Sequence, residues 1–447
     1  MSTPPAGKAR LLPVDSSGIA RDLRSRAAHE AHFGSLPLIQ GPRIGQPGPL
    51  VHEIEKSGLR GRGGGWFPTA RKIHAVVESA GARRAWSAGR KPVVIANAME
   101  GEPASSKDAV LLGHSPHLVL DGIAALSATI GATNAYIAVH RGSPVIDVVV
   151  RALAERNDQI TIALVTPPAR YVSSEESALA HWIGDGMGTP VFGKRPFERG
   201  VDDRPTQVQN AETMAHIGLI ARYGGEWFAS VGETSAPGTC LVSVGGAVNT
   251  PGVIEVEVGT PVTEIIKRCN GLSTEVSGFL TGGYGGGWAG YDALMNASWS
   301  PDSVAAAGGV IGAGILWAFD AHDCPITAMA RVARWMAGES AGQCGPCRFG
   351  LPSLADDLDV LSARSALSAD LQRLTSRLPM VQQRGGCKHP DGVARFITSG
   401  LQVFQAEVAH HVHGRCRADT HHTSVITPLP IIDQRTTPVG FPGKDFK

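Results

Sequence analysis

Three short apolar runs, Pro92-Val-Val-Ile-Ala-Asn97, Ala135-Tyr-Ile-Ala-Val-His140 and Gln159-Ile-Thr-Ile-Ala-Leu-Val165, alternate with helical patterns at about 114 to 131 and 143 to 156. Runs this apolar offer no polar face to water, so a sheet built from them must be covered on both sides. Strand-helix-strand alternation meets that demand with a parallel sheet and helices packed on it, which is an α/β arrangement. The stretch 166–212 carries Pro, Gly and charged residues and reads as loop-rich.

Further along, the pattern changes twice. Leu241 to Gly259 reads as a hairpin, with Val253, Glu255 and Glu257 alternating as in a half-buried strand. Thr260 and Pro261 then supply a cap and a first-turn proline for a helix from Val262 to Arg268. Strand, strand, helix and strand make a small β-grasp unit. The glycines between 282 and 290 read as a loop, because no basic residue accompanies them. From Pro325 the apolar period becomes helical, through Ile326, Met329, Ala333 and Met336, then Leu354, Leu358 and Leu361, then Val393, Phe396, Ile397 and Leu401, and predicts a helical bundle.

Chemistry concentrates in a few segments. Gly58 to Lys72 holds five glycines, three arginines and a lysine in fifteen residues. Missing Cβ atoms let backbone N–H groups converge on an anion that basic side chains neutralise, so the segment suits a phosphate, although a surface loop has the same composition. A net charge of +1, with no long Lys/Arg block, argues against nucleic acid or an anionic membrane as the main partner. No apolar run reaches the length of about 18 residues that suggests a membrane span, and the first residues lack a secretory pattern, so the expected location is cytoplasmic. Seven cysteines in such a compartment point to metal or redox chemistry rather than disulfides. Cys240, Cys269, Cys324 and Cys416 stand isolated and read as small buried hydrophobes, whereas Cys344, Cys347 and Cys387 are set apart by spacing. Cys344-Gly-Pro-Cys347 also has the spacing of a dithiol redox motif, and Cys344, Cys347, Cys387 and His389 the composition of a zinc site.

Taken in order, the glycine loop, Asn97-Ala-Met-Glu-Gly-Glu-Pro103, Tyr171-Val-Ser-Ser-Glu-Glu-Ser-Ala178, the β-grasp unit and the Cys-x-x-Cys bundle resemble the family of flavin-bearing, NADH-oxidising subunits of respiratory complex I and of related hydrogenase and formate dehydrogenase modules. The resemblance covers roughly residues 50 to 413 and implies an N-terminal extension (1–50), a Rossmann-like FMN/NADH domain (51–238), an SLBB-like β-grasp domain with connector (239–324), an iron-sulfur bundle (325–413) and an extended tail (414–447). It implies FMN phosphate contacts at Gly61, Arg62, Gly63, Gly64 and Lys72, and a carboxylate pair acting beside the flavin at Glu100 and Glu102, with Asn97 and Asn210 as further flavin contacts. Glu175, Glu176 and Lys194 would meet the nucleotide, with Phe67 and Phe197 as stacking rings. A carboxylate near the adenosine ribose favours NADH over NADPH.

The same resemblance implies that Cys344, Cys347 and Cys387 hold an iron-sulfur cluster. The family's remaining cysteine is Ala341 here, which leaves a 4Fe-4S cluster with a non-cysteine corner, such as Ser340 or solvent, or a 3Fe-4S cluster. Trp66 and Ser174 stand where the family carries glycine, and Met99 stands in place of an aspartate. The implied activity is hydride transfer from NADH to FMN, with single electrons leaving through the cluster to a ferredoxin-like or thioredoxin-fold 2Fe-2S protein within a larger redox complex. The competing reading is a non-catalytic scaffold that kept the fold.

Overall fold

The computed structural model describes residues 10–15, 20–43, 46–82 and 91–418. The predicted parallel sheet is present: β1 (Val93–Ala98), β2 (Asn134–Val139), β3 (Ile162–Val165) and β4 (Thr206–Asn210) lie in the order β3-β2-β1-β4, all parallel. The helices Pro116–Ile130 and Ala211–Tyr223 pack together beside β1. Their approach depends on Gly122, where a Cβ would sit 1.8 Å from the Met214 carbonyl oxygen. Apolar side chains of both helices are almost wholly buried, and they form the largest core with Leu50, Ile54 and Ile73.

The section read as loop-rich contains the helix Glu176–Asp185 and strand β4, and β4 pairs with β1 along its whole length. Thr-Gln-Val-Gln-Asn gives no apolar run to detect, yet Gln207 is fully buried. The N-terminal lead-in is likewise less detached than expected. Leu11 is buried in the main core, and the N–H groups of Arg10, Leu11 and Leu12 donate to the Glu255 carboxylate at 2.8–2.9 Å.

A two-residue ribbon, β5 (Gly232–Glu233) with β6 (Ala236–Pro237), leads into a mixed sheet of β7 (Thr239–Gly246), β8 (Gly252–Glu257), β9 (Val276–Thr281), β10 (Gly287–Gly290) and β11 (Ile315–Asp320), in the order β10-β9-β11-β7-β8. The hairpin β7–β8 and the helix Val262–Arg268 stand where the pattern placed them. Two details differ. Pro261 occupies the N-cap while the Thr260 hydroxyl bonds to the Glu257 carbonyl, and the glycine cluster ends in strand β10 instead of remaining loop. A basic residue does accompany those glycines from across the fold, since Arg395 donates to the carbonyls of Gly285 and Gly286.

The C-terminal bundle comprises Pro325–Gly338, Leu351–Ser362, Ser368–Val381, His389–Val403 and Gln405–Val412, of which Ser368–Val381 goes beyond the periods read from the sequence. A π-helical turn, Pro346–Gly350, carries Cys347. Of the predicted tail, only residues 414–418 fall among the described residues. No single helix among the described residues is long and apolar enough to cross a membrane.

Candidate functional site

A cleft of about 690 Å³ opens where the C-terminal ends of β1 and β4 meet the turn after β9 and the start of the helix His389–Val403. Its walls include Gly63, Gly64 and Gly65, then Asn97, Glu100 and Glu102, then Ser174, Glu175 and Glu176, then Asn210, and finally Cys387. This is the usual place for a ligand on an open parallel sheet, and the volume is in the range of small-molecule sites.

The glycines have separate reasons. Gly64 adopts φ +115°, a region closed to side chains, and a Cβ on Gly63 would press on Asn210 Cβ at 3.1 Å. A Cβ on Gly65 would meet nothing within 4 Å, so bare backbone there faces open space. That exposed backbone fits the phosphate end of a flavin mononucleotide. Trp66 holds φ +47°, a left-handed conformation that favours glycine. Its compensation is burial, an Nε1–H bond to Gly312 O at 3.2 Å and the Arg62 guanidinium 4.2 Å above its ring. Arg62 is therefore turned away from the cleft: it donates to the carbonyls of Pro237 and Thr239 and ties the glycine loop to β6 and β7.

The carboxylates are held by protein donors. Glu100, at φ +44°, accepts from Ser105 Oγ, Asp108 N and Ala109 N at the start of the helix Lys107–His114. Burial, reinforced by the charge of Asp108, pushes its pKa up to about 7. Glu102 accepts from Tyr284 N at 2.8 Å and lies so close to Gly283 that a Cβ there would fall 2.2 Å from its carboxyl carbon. Asn97 donates to Ser174 O, and Asn210 caps the helix Ala211–Tyr223 while donating to Asn97 O and Asp108 Oδ2. Met99 is packed among Val93, Ile95 and Val208, away from the cleft.

Sequence reading missed the charged floor of this cleft. Lys107 Nζ reaches Asp108 Oδ1 at 2.9 Å, Glu212 Oε2 at 2.8 Å and Asn210 Oδ1 at 2.9 Å, and Lys107, Asp108 and Glu212 are each at most 3% exposed. Burial opposes the Glu212 charge, but Lys107, His216 and Arg62 together outweigh it and hold the pKa at about 2. Burial raises Asp108 despite the same lysine. Three residues, Ala104 to Ser106, separate Lys107-Asp108 from the acidic motif ending at Pro103, and a charged pair at the start of an apolar helix was the available signal.

Of the nucleotide-contact candidates, Glu175 and Glu176 line the cleft, and Glu175 caps its helix through Ser177 N and Ala178 N. Lys72 lies outside the cleft lining and forms an ion pair with Glu176. Lys194 lines a separate cavity of about 290 Å³, Phe197 packs against the main core, and Phe67 projects into solvent beside Gly61, whose N–H bonds to the Phe67 carbonyl. The structure thus gathers the acidic and glycine residues but leaves the two rings and two lysines apart from them.

The three cysteines do converge. Cys344 Sγ receives the N–H groups of Cys347 and Gly386 as well as the Cys347 thiol, and Ser340 donates to Cys347. Burial, reinforced by Cys344, drives the Cys347 thiol up to about 12, and burial also raises Cys387, whereas at Cys344 the hydrogen bonds it accepts outweigh burial and lower the pKa. Three sulfurs with a serine hydroxyl on one of them fit an iron-sulfur cluster lacking one cysteine. Cys387 stands between the cleft and an adjoining hollow of about 860 Å³, and both are also lined by Glu175, Lys388, Asp391 and Arg395. Cys324 and Cys416, read as isolated, instead meet each other at the far end of the bundle, beside Glu407 and His411. Folding brings together residues 92 positions apart, which spacing along the chain does not reveal.

Comparison with known proteins agrees with this layout. Residues 54–219 match the Nuo51 FMN-binding domain, 241–283 the SLBB domain and 327–411 the NADH-ubiquinone oxidoreductase-F iron-sulfur binding region. The chain is 30% identical over 387 residues to the NADH-quinone oxidoreductase F subunit of Streptomyces coelicolor, covering 83% of this chain and 84% of the relative. It is 29% identical over 386 residues to the HndC subunit of the NADP-reducing hydrogenase of Solidesulfovibrio fructosivorans, covering 82% and 76%. Among solved structures, an NAD+-reducing NiFe hydrogenase in the H2-reduced state superposes with a TM-score of 0.74 at 24% identity, over 83% of this chain and 63% of that one, and so supports the fold.

Proposed function

The chain belongs to the family of NADH-quinone oxidoreductase F subunits, and from that premise we propose that it takes hydride from NADH onto FMN and passes single electrons through an iron-sulfur cluster to a protein acceptor in a larger redox complex. One observation carries the reading: Cys387 lies in the wall of the same cleft as Gly63 to Gly65, Glu100, Glu102 and Glu176. Electron entry and electron exit therefore share one hollow.

When bound, FMN converts two-electron into one-electron transfer and the cluster conducts the single electrons. The protein supplies the rest. Backbone around Gly64 and Gly65 would meet the phosphate, and Lys107 is a buried cation in the same wall. Glu100, in the cleft wall with a pKa raised to about 7, would hold or yield a proton near a bound flavin at neutral pH. Cys344, Cys347 and Cys387 would hold the cluster, with Ser340 placed to offer an oxygen.

Nucleotide choice tests this assignment. Glu176 is placed by resemblance at the adenosine ribose, where its charge opposes a 2′-phosphate, but the Lys72 ion pair partly offsets that charge. Stopped-flow reduction of the FMN-reconstituted protein is expected to be faster with NADH than with NADPH. Glu176→Gln should narrow the ratio and Lys72→Ala should widen it by about twofold to fivefold, the scale of a partly exposed ion pair. Equal rates for both nucleotides in the wild type would remove Glu176 from the ribose site. Protein that takes up neither flavin nor iron would instead favour the scaffold reading.

A further inference from the structure

Cys324 Sγ, Glu407 carboxylate oxygen, His411 imidazole nitrogen and Cys416 Sγ all lie within 4.8 Å of one another. Cys324 Sγ is 3.3 Å from His411 Nε2, and Glu407 Oε1 is 3.3 Å from the same nitrogen. A tetrahedral zinc site with ordinary bond lengths has ligand-to-ligand edges of about 3.3–3.8 Å. The four donors therefore stand close to the separations that a single small cation imposes. They come from three places: the N-cap of the helix Pro325–Gly338, two successive turns of Gln405–Val412, and the chain beyond that helix.

The surroundings suit metal ligands. His411 Nδ1 is 2.9 Å from the Leu361 carbonyl, which requires Nδ1–H and leaves Nε2 with a free lone pair directed at the sulfur and carboxylate. Each sulfur accepts a backbone N–H, from Thr327 to Cys324 at 3.4 Å and from Ala418 to Cys416, while the Cys416 thiol also bonds to Glu407 and Cys324. Glu407 Oε1 is fixed by Arg417 N at 3.0 Å. Cys324 and His411 are at most 1% exposed and Glu407 is 9% exposed, so these groups have little water to satisfy them.

We propose that Cys324, Glu407, His411 and Cys416 form a structural site for one divalent cation of the zinc class, separate from the Cys344/Cys347/Cys387 cluster site. Two thiols, a neutral imidazole and a carboxylate bind the cation with loss of the two thiol protons to solvent, giving a site of net charge −1. Four protein ligands leave no open position, as in structural sites. The metal ties the segment around Cys416 to the start of the helix Pro325–Gly338, whose far end leads to Ser340 and Cys344.

The test is elemental analysis of the full chain, purified from zinc-supplemented cells and again after loading with Zn(II) alone. Wild type should hold about one zinc per chain, and Cys324→Ser and Cys416→Ser should each lose most of it. Cys344→Ser should keep its zinc while losing iron. Co(II) loaded in place of zinc should give tetrahedral visible bands with thiolate charge transfer, weakened in Cys416→Ser. That variant alters a half-buried residue near the chain's described end, so it separates metal loss from misfolding. Wild type that holds no zinc in either preparation, zinc retained by both cysteine variants, or a Cys324–Cys416 disulfide mapped by mass would each overturn the site.

Discussion

Lys107→Met is expected to destabilise the folded chain by about 3–5 kcal/mol, the typical cost of leaving buried charge without its partner. Lys107 sits between Asp108 and Glu212, with hydrogen bonds of 2.9 and 2.8 Å, and all three side chains are buried. The pH dependence identifies the cause. Glu212 falls from an ordinary 4.5 to about 2 in the folded protein, so its stabilising share is fully present above pH 4.5 and is lost as pH drops toward 2. Removing Lys107 removes the largest contribution to that depression and leaves only those of His216 and Arg62. Wild type and variant should differ most at neutral pH and converge in acid, and Glu212→Gln in the variant background should restore part of the loss. Urea titrations of both proteins between pH 3 and pH 7, followed by tryptophan fluorescence, check this; a difference below about 1 kcal/mol at neutral pH would mean that the network is not the buried ion cluster described.

Ala341→Cys should change the cluster itself. With three cysteines, anaerobically reconstituted wild type is expected to carry either a three-iron cluster, paramagnetic when oxidised, or a four-iron cluster with a labile corner. The added thiol should give a four-iron centre that is silent when oxidised and more resistant to chelators. Ser340→Ala distinguishes the corner ligand, because the serine hydroxyl already bonds to Cys347. If the serine completes the cluster, its removal should convert a four-iron spectrum to a three-iron one. Cys347→Ser should lose the cluster altogether, since it removes the most buried of the three sulfurs. Iron-to-sulfide ratios with low-temperature electron paramagnetic resonance read all four proteins, and identical spectra for wild type and Ala341→Cys would show that position 341 does not face the cluster.

What the sequence disclosed followed from periodicity and composition. β1, β2 and β3 are continuous apolar runs, and β8 alternates, so both sheets announced themselves. β4 did not, because Gln207 and Gln209 are buried by pairing with β1 and by the packing around them, which only the fold supplies. In the site, the glycine loop and the acidic motif were legible because chemistry restricts those residue types. Arg62 was misleading for the same reason: a basic residue in a glycine loop suggests an anion, but this one stacks on Trp66 and bonds to two carbonyls. Lys107 and the Cys324–Cys416 pair were hidden because their meaning lies in partners about 90 to 105 residues distant.

The most direct test is anaerobic addition of NADH to the full chain reconstituted with FMN, iron, sulfide and zinc, with flavin absorbance and electron paramagnetic resonance read on the same sample. The account predicts that the flavin band bleaches and that a reduced iron-sulfur signal grows with it, whereas Cys387→Ser bleaches without the signal. A wild-type protein that retains FMN yet shows no bleaching with NADH would contradict it.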